Sequence, residues 1–98
     1  MLEFKLHMDT KTNQILFIDV RGESEYKLSH FLGAVNISVG QISEDNPKIS
    51  SLDKNAKIVV YCVAGGRAQQ AKLKLEKLGF TNVENGINQQ EVTERYLL

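Results

Sequence analysis

Two nearly unbroken apolar runs stand out along the chain, Ile15–Val20 (ILFIDV) and Lys57–Cys62 (KIVVYC). Both have strand length and carry β-branched residues. Such runs read as strands buried on two faces, because a strand with one wet face alternates instead. Ala34–Ser38 (AVNIS) and Asn82–Asn85 (NVEN) are shorter candidates. The opening residues 2–8 (LEFKLHM) do alternate, as a half-exposed edge strand would.

Helical patterns lie between the runs. Glu23–Leu32 (ESEYKLSHFL) places Tyr26, Leu28 and Phe31 among polar residues. The clearest helix runs from Gly66, where Ala68, Ala71, Leu75 and Leu78 form one stripe and Gln70, Lys72, Lys74 and Lys77 cover the rest. Leu78-Gly79-Phe80 reads as a glycine C-cap with a hydrophobic residue behind it. A last helix is expected in 88–98 (NQQEVTERYLL), and Ser43–Asn55 reads as a polar surface connection with short helical turns. Apolar strands alternating with helices imply an α/β fold: a mainly parallel central sheet of about five strands, with helices on both faces. The 98 residues are expected to make one domain, 1–98, with no linker or repeat. A monomer is expected at that size.

Charge narrows the function. Twelve basic and twelve acidic residues cancel. General nucleic-acid binding needs a basic excess, so it is not expected. No apolar run approaches the roughly 20 residues of a membrane span. The N-terminus lacks a basic start followed by a long apolar core, so it does not read as a signal peptide, and a cytoplasmic location is expected. One cysteine makes neither an internal disulfide nor a multi-cysteine metal cluster, and His7 and His30 lie far from it in sequence. No metal and no cofactor are expected.

Ligands of parallel α/β sheets bind at the carboxyl ends of the strands. The chemistry here gathers at two such ends, Asp19-Val20-Arg21 and Cys62-Val63-Ala64-Gly65-Gly66-Arg67. In the second, glycines let the backbone turn sharply and approach a bound group, and a run of amides forms an anion-binding nest. The helix N-terminus adds partial positive charge, and Arg67 adds a permanent cation with forked donors. Cys62 stands at the rim of this nest. Its thiol is therefore expected to ionise easily and act as a nucleophile. A buried structural cysteine is the plainer reading, but it needs no anion nest beside it. From Lys57 to Lys77 five cations face one anion, a local net charge of +4, which points to a small anionic substrate.

Cysteine phosphatases cradle phosphate with five residues between the cysteine and the arginine. Here there are four. The tighter loop suits a persulfide sulfur or a thiosulfate-like donor better. The chain resembles the single-domain rhodanese-like sulfurtransferases over nearly its whole length. The family's Cys-x-x-Gly-x-Arg loop is met as Cys62–Arg67. Its upstream signature is met as Ile18-Asp19-Val20-Arg21, Glu25-Tyr26, His30-Phe31-Leu32-Gly33-Ala34 and Asn36-Ile37, about 40 residues before the loop.

The resemblance implies a three-layer rhodanese-like domain and a two-step transfer. Cys62 would take sulfur from a donor such as thiosulfate as a persulfide, then pass it to a thiophilic acceptor, cyanide in the test tube or a cellular thiol or protein. Val63, Ala64, Gly65, Gly66 and Arg67 would hold the sulfur. Asp19 would orient the loop through hydrogen bonds. Arg21 would pair with a carboxylate such as Glu25 and brace the following helix, and His30 would hold the turn before Gly33. The chain departs from the family at Ser29, where glycine is usual. It also departs at Asn85-Gly86-Ile87, where a glycine pair and then a tryptophan are usual. Glu25 is acidic where some thiosulfate sulfurtransferases carry a cation, which points to another donor. Two other readings stay open: a non-enzymatic persulfide carrier or partner-binding module, and a phosphatase or arsenate reductase.

Overall fold

The computed structural model describes residues 15–97. Strands β1 (Leu16–Asp19), β2 (Val35–Asn36), β3 (Ile58–Cys62) and β4 (Val83–Asn88) form one sheet in the order β2-β1-β3-β4. Every pairing in it is parallel. The helices are α1 (Glu23–Leu28), α2 (Pro47–Ser50), α3 (Gly66–Lys77) and α4 (Gln89–Tyr96), with a 3-10 turn at Val39–Gln41. Four strands thus stand among the described residues. The alternating segment 2–8, expected to supply a fifth, lies outside them.

The period of two along β3 sorts its side chains to opposite faces. Ile58, Val60 and Cys62 pack with Ile18, Val20, Ile37, Ile42 and Ile49, and with Ala68, Ala71 and Leu75 of α3. Val59 and Tyr61 face the other way, toward Phe31, Ala34 and Val92 of α4. All five residues of β3 are buried, so the sheet is covered on both sides at its centre. That explains why this strand reads as a continuous apolar run.

Boundaries differ from the sequence reading where side chains intervene. The first helix, expected through Leu32, stops at Leu28, and Ser29 is extended. The Arg21 guanidinium donates to the Ser29 carbonyl at 2.6 Å, and the Phe31 amide donates to the Tyr61 hydroxyl at 2.9 Å. These contacts draw the chain off the helix axis and bury Phe31. The last strand is longer than Asn82–Asn85 and runs to Asn88 across a bulge. Val60 pairs with Asn85, but Tyr61 pairs with Ile87, so Gly86 is the extra residue. A Cβ on Gly86 would lie 2.7 Å from Val92 Cγ2 and 2.9 Å from Val59 Cγ1, so only glycine lets α4 pack this closely on the sheet. The bulge leaves Ile87 at φ 75°, a left-handed conformation that costs a β-branched residue strain.

Candidate active site

Cys62 ends the central strand, where the chain must leave the sheet and enter α3. Gly65 makes the turn with φ 99° and ψ −15° and caps α3. That conformation is one glycine adopts freely. Gly66, expected to serve the same need, has ordinary φ and nothing within 4 Å of where a Cβ would stand. Within the chain, only the first glycine of the pair is required.

The turn aims backbone amides at one atom. The Gly65 N–H donates to Cys62 Sγ at 3.1 Å and the Ala68 N–H at 3.4 Å. Burial works against ionisation of this thiol. The amides of Ala68, Gly65, Ala64 and Arg67 together outweigh it and hold the thiol below its ordinary value. The thiolate is the reactive form, so the loop favours the nucleophile directly. Val63 and Ala64 are exposed at the rim, which leaves the loop accessible from solvent.

Arg67 does not point a free charge at this centre. Its guanidinium makes a two-pronged pair with Glu25 of α1, at 2.9 and 3.2 Å. Arg67, the Gly22 amide and the nearby Arg21 charge hold the Glu25 carboxyl well down, at about 2. The pair ties α1 to the start of α3, across the mouth of the loop. Glu25 binds protons more weakly in the folded chain than unfolded. Its contribution is therefore present above its ordinary value of 4.5 and is lost as pH falls toward 2. Thermal melts of Glu25→Gln should run below the unmodified protein at pH 6. The gap should close as pH drops through that window, and a gap that persists unchanged at pH 2 would contradict the assignment.

Asp19 is fully buried at the end of β1. It accepts from the Arg21 amide (2.9 Å), from the Arg21 guanidinium (2.6–3.0 Å) and from the Tyr61 hydroxyl (3.0 Å). Burial and the Asp19 charge push the Tyr61 phenol up to about 12, so it stays a donor. Asp19 was expected to orient the loop itself. Its hydrogen bonds instead reach Tyr61, the residue before Cys62. Arg21 was expected to pair with a carboxylate such as Glu25; it does pair with a carboxylate, and that carboxylate is Asp19. The strand end puts both groups two residues apart on one side, while Glu25 is already held by Gly22 and Arg67. The bracing of α1 by Arg21 runs through the Ser29 carbonyl. His30 Nδ1 donates to the Tyr26 carbonyl at 2.8 Å, and its ring stacks on the Tyr26 ring with centroids 3.7 Å apart. It thus holds the turn that follows α1.

The positive stretch Lys57–Lys77 is largely engaged. Lys57 pairs with Glu84, Lys72 with Glu76, and Lys74 donates to the Val39 carbonyl. Positive potential at the sulfur therefore comes mainly from backbone amides and the start of a twelve-residue helix. Two residues of the site escaped the sequence reading. Tyr61 lay inside an apolar run, although a buried tyrosine needs a partner for its hydroxyl. Asn85 reaches the Gly65 carbonyl from β4 at 3.1 Å; the sequence marked it as a departure from the family's glycine pair and by the Asn-Gly pair, a mark of irregular backbone, but not as a loop contact.

Comparison with known proteins agrees with this geometry. The family description "Rhodanese-like domain" matches residues 2–89. Thiosulfate sulfurtransferase PspE of Escherichia coli (strain K12) is 41% identical over 71 residues, covering 70% of this chain and 65% of that protein. A tRNA uridine(34) hydroxylase of Sodalis glossinidius (strain morsitans) is 38% identical over 80 residues, covering 76% of this chain and 23% of that protein. The chain thus spans just under two thirds of the first relative and about a quarter of the second. A solved structure described as rhodanese with anions from E. coli superposes with a TM-score of 0.70. It is 35% identical and covers 79% of this chain and 89% of that one. With its strand–loop–helix at Cys62, its parallel sheet and the match over residues 2–89, the chain belongs to the rhodanese-like domain family.

Proposed function

We propose that the protein is a sulfurtransferase that carries sulfane sulfur as a persulfide on Cys62. The observation that carries this reading is the convergence of backbone N–H groups on one buried sulfur at a helix N-terminus. In the first step the Cys62 thiolate attacks the outer sulfur of thiosulfate. The Sγ–S bond forms, the S–S bond of the donor breaks, and sulfite leaves with the bonding pair. In the second step cyanide attacks the outer sulfur of the persulfide. Thiocyanate departs and the Cys62 thiolate is restored. Charge is conserved in each step, and no redox partner is required. The amides act as fixed donors to negative charge on sulfur, whichever sulfur holds it. A tetrahedral phosphoryl group would need a wider cradle than four intervening residues provide.

A second reading is favoured by one specific contact. Glu25 neutralises Arg67, so a dianionic donor feels less attraction at the mouth than a free arginine would give. Loading by a persulfide, small or borne on a protein, and delivery to a thiol or protein acceptor then become the natural use of the same cysteine. Intact mass spectrometry separates these readings. The protein is mixed with thiosulfate or with glutathione persulfide, then treated with cyanide. A gain of one sulfur atom from either donor, discharged as thiocyanate, is the expected result. Loading by the persulfide alone would favour the carrier reading. No adduct from either donor, with the fold intact, would overturn both and turn attention to phosphate esters.

A further inference from the structure

The β4 bulge does more than fit α4 to the sheet. Gly65 must hold a left-handed conformation for its N–H to reach the sulfur, and a glycine in an exposed turn has little of its own to keep it there. One tie is local: the Gly65 carbonyl accepts the Gln69 amide at 2.9 Å, the first bond of α3. The other comes from a different strand. Asn85 Nδ2 donates to the same carbonyl at 3.1 Å and to Gln69 Oε1 at 3.2 Å. Asn85 Oδ1 meanwhile accepts the Ile87 amide at 2.9 Å, across the extra residue of the bulge. A carbonyl can only accept and an amide N–H can only donate, so these partners fix which way the side chain faces. The side chain of Ile87, held left-handed by that turn, packs against Gly65: its Cγ2 lies 3.6 Å from where a Cβ on Gly65 would stand. One face of the loop is thus clamped from β4 by both the bulge and its asparagine.

We propose that Asn85 is a positioning residue of the sulfur site: its side-chain amide clamps left-handed Gly65 from the β4 bulge and so keeps the Gly65 N–H aimed at Cys62 Sγ. This rests on Cys62 being the reactive centre but not on which donor it uses. Only the amide end of Asn85 serves the loop, while the carbonyl end serves the bulge. The two roles can therefore be separated by substitution. Asn85→Ser keeps an acceptor for the Ile87 amide and is too short to reach the Gly65 carbonyl. Asn85→Ala loses both.

The test reads the thiolate itself, as the rate of Cys62 alkylation by iodoacetamide across pH. The charged groups around the sulfur stay in place in each variant: the Arg67–Glu25 pair of α3 and α1, and Asp19 and Arg21 beside β3. Asn85→Ala should alkylate about threefold more slowly at a pH below both midpoints, the change that half a pKa unit makes, with its midpoint moved upward. Asn85→Ser, which adds no charge, should move the same way with the bulge retained. It also serves as the decisive variant if Asn85→Ala does not fold. Ile58→Val, at the far end of β3, lowers stability without touching the loop and should keep the original midpoint. Midpoints unchanged in the Asn85 variants, or shifted equally in Ile58→Val, would overturn the proposal. Alkylation does not depend on sulfur transfer, so a failed transfer assay with shifted midpoints would count against the proposed function and leave the clamp standing.

Discussion

Replacing Cys62 with serine should abolish sulfur loading, with a loss on the order of 10⁴-fold or more in transfer rate and no comparable loss of stability. The reasoning starts from acidity. The loop supplies donors that stabilise a thiolate whose ordinary value is already within reach of neutral pH. A serine hydroxyl is far weaker as an acid, and the same donors cannot bring it to ionisation. Among the described residues no histidine or carboxylate is hydrogen-bonded to Sγ to act as a base; its hydrogen bonds come from backbone amides. Serine also cannot form the sulfur–sulfur bond that carries the intermediate. Removing a nucleophile from a site whose remaining parts only bind leaves a small residue of activity. Serine is slightly smaller than cysteine and its hydroxyl can accept from Gly65, so the fold should hold. The check is intact mass and thiocyanate release for Cys62→Ser beside the unmodified protein, with thermal melts of both. A sulfur adduct of equal yield on the variant would remove Cys62 from the mechanism.

Asp19→Ala should be the most damaging single change to stability outside the apolar core, costing about 3–5 kcal/mol. Asp19 is fully buried and meets the Arg21 guanidinium, the Arg21 amide and the Tyr61 hydroxyl. Alanine leaves Arg21, only 12% exposed, without its counter-charge, and leaves the Tyr61 hydroxyl without an acceptor. Total stability of a domain this size is typically about 5–15 kcal/mol, so the loss is a large share. Asp19→Asn keeps an acceptor of the same shape for Tyr61 and should cost less. Equilibrium denaturation of both variants measures the difference. A loss under about 1 kcal/mol for Asp19→Ala would mean that Arg21 and Tyr61 find other partners. Because Tyr61 precedes Cys62, the alkylation rate of Cys62 in Asp19→Asn would also report how far the disturbance reaches.

The centre of the sheet was legible from residues alone. Ile15–Val20 and Lys57–Cys62 are apolar at nearly every position because helices and loops cover both faces, and β1 and β3 stand side by side there. The α3 stripe was equally plain: Ala68, Ala71 and Leu75 are fully buried at helical spacing. Burial leaves a periodic trace in composition, and that trace survives without coordinates. The loop was legible for a different reason. A cysteine, a glycine that must turn left-handed and a helix start are adjacent in sequence, so their geometry is local.

What the sequence left open is what depends on pairs distant along the chain. Arg21 had more than one carboxylate within plausible reach, and nothing in the sequence gave Arg67 a partner. The tertiary fold gave Glu25 to Arg67, 42 residues away, and so left Arg21 to Asp19, two residues before it. The end of α1 was set by Arg21 and Tyr61, neither of which belongs to that helix. Position 86 must be glycine because Val92 and Val59 approach so closely, and Asn85, beside the bulge, reaches the loop from another strand. Sequence determines what periodicity and adjacency can carry: the strands, the main helix and a thiol in an amide nest. Which charges pair, and which side chain steadies that nest from across the sheet, is decided by packing, because those contacts have no fixed spacing along the chain.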